Sequence, residues 1–154
     1  MHVVLVHPEI APNTGNIIRL CANTGCDLHL VEPLGFSLED RLMRRAGLDY
    51  HERTKLTVHP SLEDARSALP GRWLAFSSHA ARRFTEVEYS DDDVLVFGCE
   101  GSGLPKEVVE TFAPERLLKI PLKPGNRSLN LANAAAIVIY EAWRQAGFTG
   151  ASDS

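Results

Sequence analysis

A single α/β domain built on a parallel sheet is the fold this sequence predicts, and it rests on three observations. Short apolar runs alternate with helical patterns along the whole 154-residue chain. The apolar runs are nearly continuous, as in strands covered on both faces, instead of alternating apolar with polar. The length suits one hydrophobic core, and no internal repeat, low-complexity tract or linker divides it.

The elements follow in order. His2 to His7 reads as a strand, and Thr14 to Thr24 as a helix with Asn13 at its N-cap and Gly25 just past its end. Asp27 to Glu32 is a second strand, and Ser37 opens a helix that ends at Gly47. Lys55 to His59 is a short strand, followed by a helix capped by Ser61 with Asp64 three residues on. Arg72 to Ser77 and Asp93 to Phe97 are further strands. Pro105 suits the first turn of a helix running to about Phe112, and Leu117 to Ile120 is a last short strand. The final helix runs from about Asn130 to Ala146. From Leu129 to Tyr140 it carries no charge, so it must be buried all round, either in the core or against another chain. In a domain this small a terminal helix is hard to surround without a partner, which points to a homodimer. The domain is expected to span 1–148, with a small polar tail, 149–154, that frays.

Composition narrows the function classes. The chain is 44% hydrophobic and 23% charged, which excludes a disordered protein. No apolar run approaches the ~20 residues of a membrane span. The segment Met1 to His7 lacks the basic region and cleavage site of a signal peptide, so a cytoplasmic protein with no membrane partner is expected. Cys21, Cys26 and Cys99 form no C-x-x-C pair and the six histidines no H-E-x-x-H, so neither a disulfide framework nor a metal site is expected. The net charge of −4 counts mildly against an RNA partner, although binding depends on where the basic groups sit. Basic residues do cluster locally, at Arg41, Arg44 and Arg45, at Arg82 and Arg83, and at Lys119, Lys123 and Arg127.

The first strand is followed by His7-Pro8-Glu9-Ile10-Ala11-Pro12-Asn13, with no G-x-G-x-x-G, which argues against a dinucleotide-binding Rossmann domain. Gly98-Cys99-Glu100-Gly101-Ser102-Gly103 lacks the Lys-Ser/Thr ending of a P-loop. Glu100 also stands where a G-x-S-x-G nucleophile elbow needs glycine. What remains is a glycine-rich loop after a buried strand, at the sheet edge where α/β folds bind ligands.

Three segments place unusual polar residues beside these fold signals. The first is Asn13-Thr14-Gly15-Asn16-Ile17-Ile18-Arg19-Leu20, with Asn16 and Arg19 on one helix face. The second is Phe97-Gly98-Cys99-Glu100-Gly101-Ser102-Gly103-Leu104-Pro105. The third is Ile120-Pro121-Leu122 followed by Arg127-Ser128-Leu129-Asn130-Leu131-Ala132-Asn133-Ala134. Each alone could serve a cap or a turn, but amides such as Asn130 and Asn133 in an apolar helix need partners. A buried amide without one costs roughly 1–3 kcal/mol.

In this order the segments resemble the three motifs of the SPOUT superfamily of RNA methyltransferases, and specifically its ribose 2′-O-methylating branch. The resemblance covers essentially the whole chain. It is closer still to the minimal-length members that methylate the wobble cytidine or uridine ribose of tRNA, through Pro8 to Asn13, Arg44 to His51, and Val138 to Gln145 with Tyr140 and Trp143. Cys99 stands where relatives often have proline.

The resemblance implies a SPOUT-type α/β knot, with a deep C-terminal trefoil knot, and a homodimer. It implies S-adenosylmethionine as cofactor, S-adenosylhomocysteine as product, no metal, and the tRNA anticodon region as partner. The cofactor would lie against Phe76, Gly98, Gly101, Ile120, Leu122, Ser128 and Leu129. Arg19 would orient or activate the 2′-hydroxyl, with Asn16, Glu100, Ser128 and Asn130 positioning it and the ribose. Arg44, Arg45, Tyr140 and Trp143 would face RNA or the second subunit. Two other readings stay open: 2′-O-methylation at another tRNA or ribosomal RNA position, and a non-catalytic RNA-binding protein on a knotted fold.

Overall fold

The structure, a computed structural model, describes residues 1–47 and 54–153. Of the stretch Arg44 to His51, the part from Leu48 on lies outside the described residues, as does Ser154. The strands are β1 (His2–Val6), β2 (Asp27–Val31), β3 (Leu56–His59), β4 (Trp73–Phe76), β5 (Arg82–Arg83), β6 (Val94–Phe97) and β7 (Leu117–Lys119). The helices are α1 (Ala11–Thr24), α2 (Arg41–Gly47), α3 (Leu62–Ala68), α4 (Lys106–Val109) and α5 (Leu131–Gln145).

The strands form one sheet in the order β3-β2-β1-β6-β4-β7-β5, with each neighbouring pair parallel. Apolar residues alternate between two cores, which is why the strand sequences look continuously apolar. Val3, Leu5, Leu28, Leu30, Leu95 and Phe97 pack with Ile17 and Ile18 of α1 and with Val138 and Ile139 of α5. Val4, Val6, Val31, Val94 and Val96 point the other way, onto Ala65 of α3 and Val108 of α4. Leu5, Leu28, Leu30 and Leu95 are wholly buried, and truncating any of them to alanine would cost about 2–5 kcal/mol.

Several predicted boundaries shift, each for a local reason. α1 begins at Ala11 after an N-cap at Ile10, with Pro12 in its first turn, so Asn13 is inside the helix instead of capping it. Its side chain is held by tertiary partners and not by the helix end. α2 starts at Arg41, because Asp40 and not Ser37 supplies the cap: Asp40 Oδ1 accepts from the Leu42 and Met43 amides at 2.8 and 3.3 Å. α4 stops at Val109, short of Phe112. Ser61 caps α3 as expected, accepting the Asp64 amide at 3.1 Å. The two-residue strand β5 has no counterpart in the sequence reading. It is charged throughout and exists only because β7 runs beside it.

α5 packs on α1 through Leu131, Ala135, Val138, Ile139 and Ala142, all buried. Its other face is open, with Ile137 38% and Tyr140 43% exposed. No helix among the described residues is long and apolar enough to cross a membrane.

Candidate functional site

The loops leaving the carboxyl ends of β4, β6 and β7 converge on a cavity of about 650 Å³, within the range of small-molecule and cofactor sites. Phe76 and Phe97, at the ends of β4 and β6, stack with ring centroids 4.8 Å apart and form part of its apolar wall. Ile120, Leu122, Leu129 and Leu131 complete that wall from the third segment. The glycine loop after β6 supplies backbone. It folds back on itself through paired hydrogen bonds between Cys99 and Gly103. A Cβ on Gly98 would collide with the backbone of Gly103 and Leu104, and Gly103 has φ +70, so both positions require glycine.

The three motif segments are tied into one unit by a polar network that local sequence could not reveal. The Glu100 carboxylate accepts the Glu9 amide at 2.9 Å and the Ile10 amide at 2.6 Å. An anion at this point also complements the positive end of α1. Glu100 further accepts the Asn13 side-chain amide at 3.3 Å. Asn13 Oδ1 in turn accepts from Asn130 Nδ2 at 3.1 Å, across 117 residues of sequence. Asn130 Oδ1 caps α5 by accepting the Asn133 amide at 3.1 Å. Glu9 reciprocates by accepting the Gly101 amide at 3.3 Å. The expectation that Asn130 and Asn133 both sit inside an apolar helix is therefore corrected. Asn130 is the cap that begins α5, and the Asn133 side chain is exposed.

All seven residues expected around a cofactor line this one cavity: Phe76, Gly98, Gly101, Ile120, Leu122, Ser128 and Leu129. Glu100 lines it as well, while Asn130 is reached through Asn13. Asn16 and Arg19 lie three residues apart on α1, both exposed and both outside the cavity wall. Arg44 is exposed and paired with Glu39 at 3.3 Å, and Arg45 is exposed beside it. Tyr140 and Trp143 meet edge to face at 5.7 Å, and Trp143 Nε1 donates to the Thr149 carbonyl at 3.0 Å. Glu9 and Asn13 are the site residues whose roles the sequence reading missed. Nothing local distinguishes a network amide from a helix cap.

Glycine backbone, stacked phenyl rings and aliphatic walls suit a nucleoside-sized cofactor whose base is gripped by main chain and whose reactive end needs a dry surround. The site geometry and the sheet together define a class: the chain belongs to the SpoU rRNA Methylase family, which matches residues 1–140. Within it, the chain is 54% identical over 152 residues to the tRNA (cytidine(34)-2′-O)-methyltransferase of Burkholderia pseudomallei (strain 1106a), covering 97% of each. It is 48% identical over 155 residues to the Escherichia coli (strain K12) protein of the same name, covering 98% of this chain and 97% of that one. A solved structure concerned with 2-OH methylation of C/U34 on tRNA superposes with a TM-score of 0.91 at 43% identity, covering 96% of each chain. An AdoMet-bound rRNA methyltransferase from Sinorhizobium meliloti superposes at 0.82 with 25% identity, over 93% of this chain and 55% of that one. The motif resemblance is thereby borne out.

Proposed function

We propose that this protein transfers a methyl group from S-adenosylmethionine to the ribose 2′-hydroxyl of nucleotide 34, the wobble position, of tRNA. The observation that carries the reading is the convergence of the three motif segments on one cavity, locked together through Glu100, Asn13 and Asn130. Near-full-length identity of about half to relatives named for that reaction supports it.

When bound, the cofactor supplies an electrophilic methyl carried on a sulfonium. Phe76, Ile120, Leu122 and Leu129 exclude water from it, and the backbone at Gly98 and Gly101 grips its nucleoside, with Ser128 at the rim. Fixing both reactants in place can supply ~7–11 kcal/mol of the barrier. Glu100 holds the start of α1 against the glycine loop, and so fixes the helix that carries Asn16 and Arg19. Arg19 acts from the solvent side as a donor and fixed cation, orienting the ribose and stabilising negative charge on its oxygen while the hydroxyl proton leaves to solvent water. Asn16 assists it on the same face.

The reading extends to assembly. The β4-to-β5 connection spans the slot that β7 fills later in the chain, and in the knotted reading the segment from β7 to α5 would thread through an earlier loop. This supports the trefoil knot. The open Ile137 and Tyr140 face of α5 supports a homodimer, since a subunit packed there would remove it from water. Arg44, Arg45 and Trp143 are then available to RNA or to the second subunit. A tRNA substrate supports a cytoplasmic location.

The test is methyl transfer from labelled S-adenosylmethionine to tRNA lacking wobble ribose methylation, with the product nucleoside located by mass spectrometry. Label at the 2′-oxygen of nucleotide 34 is the expected result. Label at another tRNA position, or only in ribosomal RNA, would overturn the substrate assignment, and cofactor binding without transfer to any RNA would overturn the activity.

A further inference from the structure

A second concavity, of about 680 Å³, adjoins the cofactor cavity, and its walls are cationic. Arg83 of β5, Lys119 at the end of β7, and Lys123 and Arg127 of the following loop line it, with His79 at its side. Four of the chain's 16 lysines and arginines thus share one hollow in a protein of net charge −4. No carboxylate lines it, and among the described residues none of the four forms an ion pair.

This placement is electrostatically unfavourable for the free protein. Arg83 and Lys119 are register partners on adjacent strands, and like charges set opposite each other destabilise a sheet. The loop from Lys119 to Arg127 has no acidic residue to offset them. Arg82, the neighbour of Arg83, shows what a structural arginine does here. Its guanidinium is spent on the Glu115 and Glu86 carbonyls at 2.9 and 2.8 Å. Among the described residues the Arg83 guanidinium makes no such bond, although its backbone amide donates to the Glu86 carboxylate at 2.9 Å, and Arg83 lines the hollow.

We propose that this hollow is a phosphodiester subsite, which holds the RNA backbone beside the reacting ribose. The inference rests on tRNA being the substrate. No Phe, Tyr or Trp side chain lines the hollow and four of its lining residues are cations, so what it recognises is chiefly backbone charge. Ser78, His79, Ile120, Leu122 and Arg127 line both cavities, so a phosphate held in one lies against the wall of the other. Neutralising the cations with RNA relieves the Arg83–Lys119 repulsion and releases counterions from the nucleic acid.

The decisive experiment compares the parent with Arg83→Gln/Lys123→Gln, measuring affinity for tRNA across a salt series and affinity for S-adenosylhomocysteine by calorimetry. The expected result is a loss of about tenfold or more in tRNA affinity near physiological salt, and a log–log salt slope shallower by roughly one and a half, as two single-strand phosphate contacts are removed. S-adenosylhomocysteine binding stays unchanged, and the melting temperature of the free protein does not fall. Parental tRNA affinity and slope in the variant, with a parent that methylates nucleotide 34, would overturn the subsite and leave the proposed function standing. Weakened S-adenosylhomocysteine binding with an unchanged slope would assign the cations to the cofactor's own carboxylate and equally overturn it. A parent that neither binds nor methylates tRNA would remove both readings.

Discussion

The two ends of the same parallel sheet are built on opposite principles. At the amino ends of the strands, charged and polar groups are paired with each other. Asp93, 1% exposed, accepts from Arg72 at 3.0 and 2.7 Å and from the Ser90 amide at 2.8 Å. His2, at the start of β1, opens a chain of imidazoles that runs diagonally across the sheet, reaching His29 at 3.1 Å and then His59 at 2.9 Å. At the carboxyl ends the chain turns through glycines and prolines, encloses two cavities and leaves four cations without an ion pair among the described residues. Side chains at the amino end are satisfied by the fold itself, whereas at the carboxyl end only the Glu100–Asn13–Asn130 network is, and the four cations beside it await a ligand. The division accords with α/β sheets generally, which bind at the carboxyl edge.

The contrast predicts that changes at the two ends fail in different ways. The largest effect is expected for Arg19→Ala, which should lower the rate of methyl transfer about a hundred- to a thousand-fold while leaving stability and S-adenosylhomocysteine affinity intact. Turnover near the parent rate in a labelled-cofactor assay would remove Arg19 from the mechanism. Asp93→Ala should do the reverse. It removes the buried end of an ion pair, leaves the partly exposed Arg72 guanidinium and the Ser90 amide without their acceptor, and costs about 1.5–3 kcal/mol in urea unfolding, with little change in turnover per folded molecule.

A pH experiment sharpens the same division. Burial first, and then the neighbouring imidazoles His2 and His59, lower the His29 pKa to about 4. The folded state therefore binds its proton more weakly than the unfolded state does. The stability this confers is complete above the ordinary histidine value and is lost as pH falls from about 6.5 to about 4, by at most about 3 kcal/mol. His29→Asn should flatten the stability profile in that window, and a profile still as steep as the parent's would show that other groups govern it. The smallest effect is expected at Thr14, fully buried in α1 with a hydroxyl that has no hydrogen-bond partner among the described residues. Thr14→Val should be neutral, or stabilising by about 1 kcal/mol in thermal unfolding.

Much of the fold was legible because burial on both faces leaves a local signature. β1, β4 and β6 are apolar on successive residues, and Ser61 with Asp64 announces the start of α3. The start of α1 was misread because Asn13 has the chemistry of a cap and the position of a network residue. β5 was missed because two arginines carry no strand pattern of their own. The expected cofactor residues could be named from motif resemblance, yet nothing in their spacing says that Phe76 and Leu129 share a wall.

By itself, then, the sequence determined the α/β class, the positions of most strands, and which segments carry unusual chemistry, since all three depend on residues near one another in the chain. Tertiary structure alone decided the strand order that seats β7 between β4 and β5. It also decided the union of Glu100, Asn13 and Asn130, and the gathering of Arg83 with Lys119, Lys123 and Arg127 around one hollow. Hydrogen bonds and charge act over a few ångströms of space whatever the separation in sequence, and only the folded chain brings those groups within that reach.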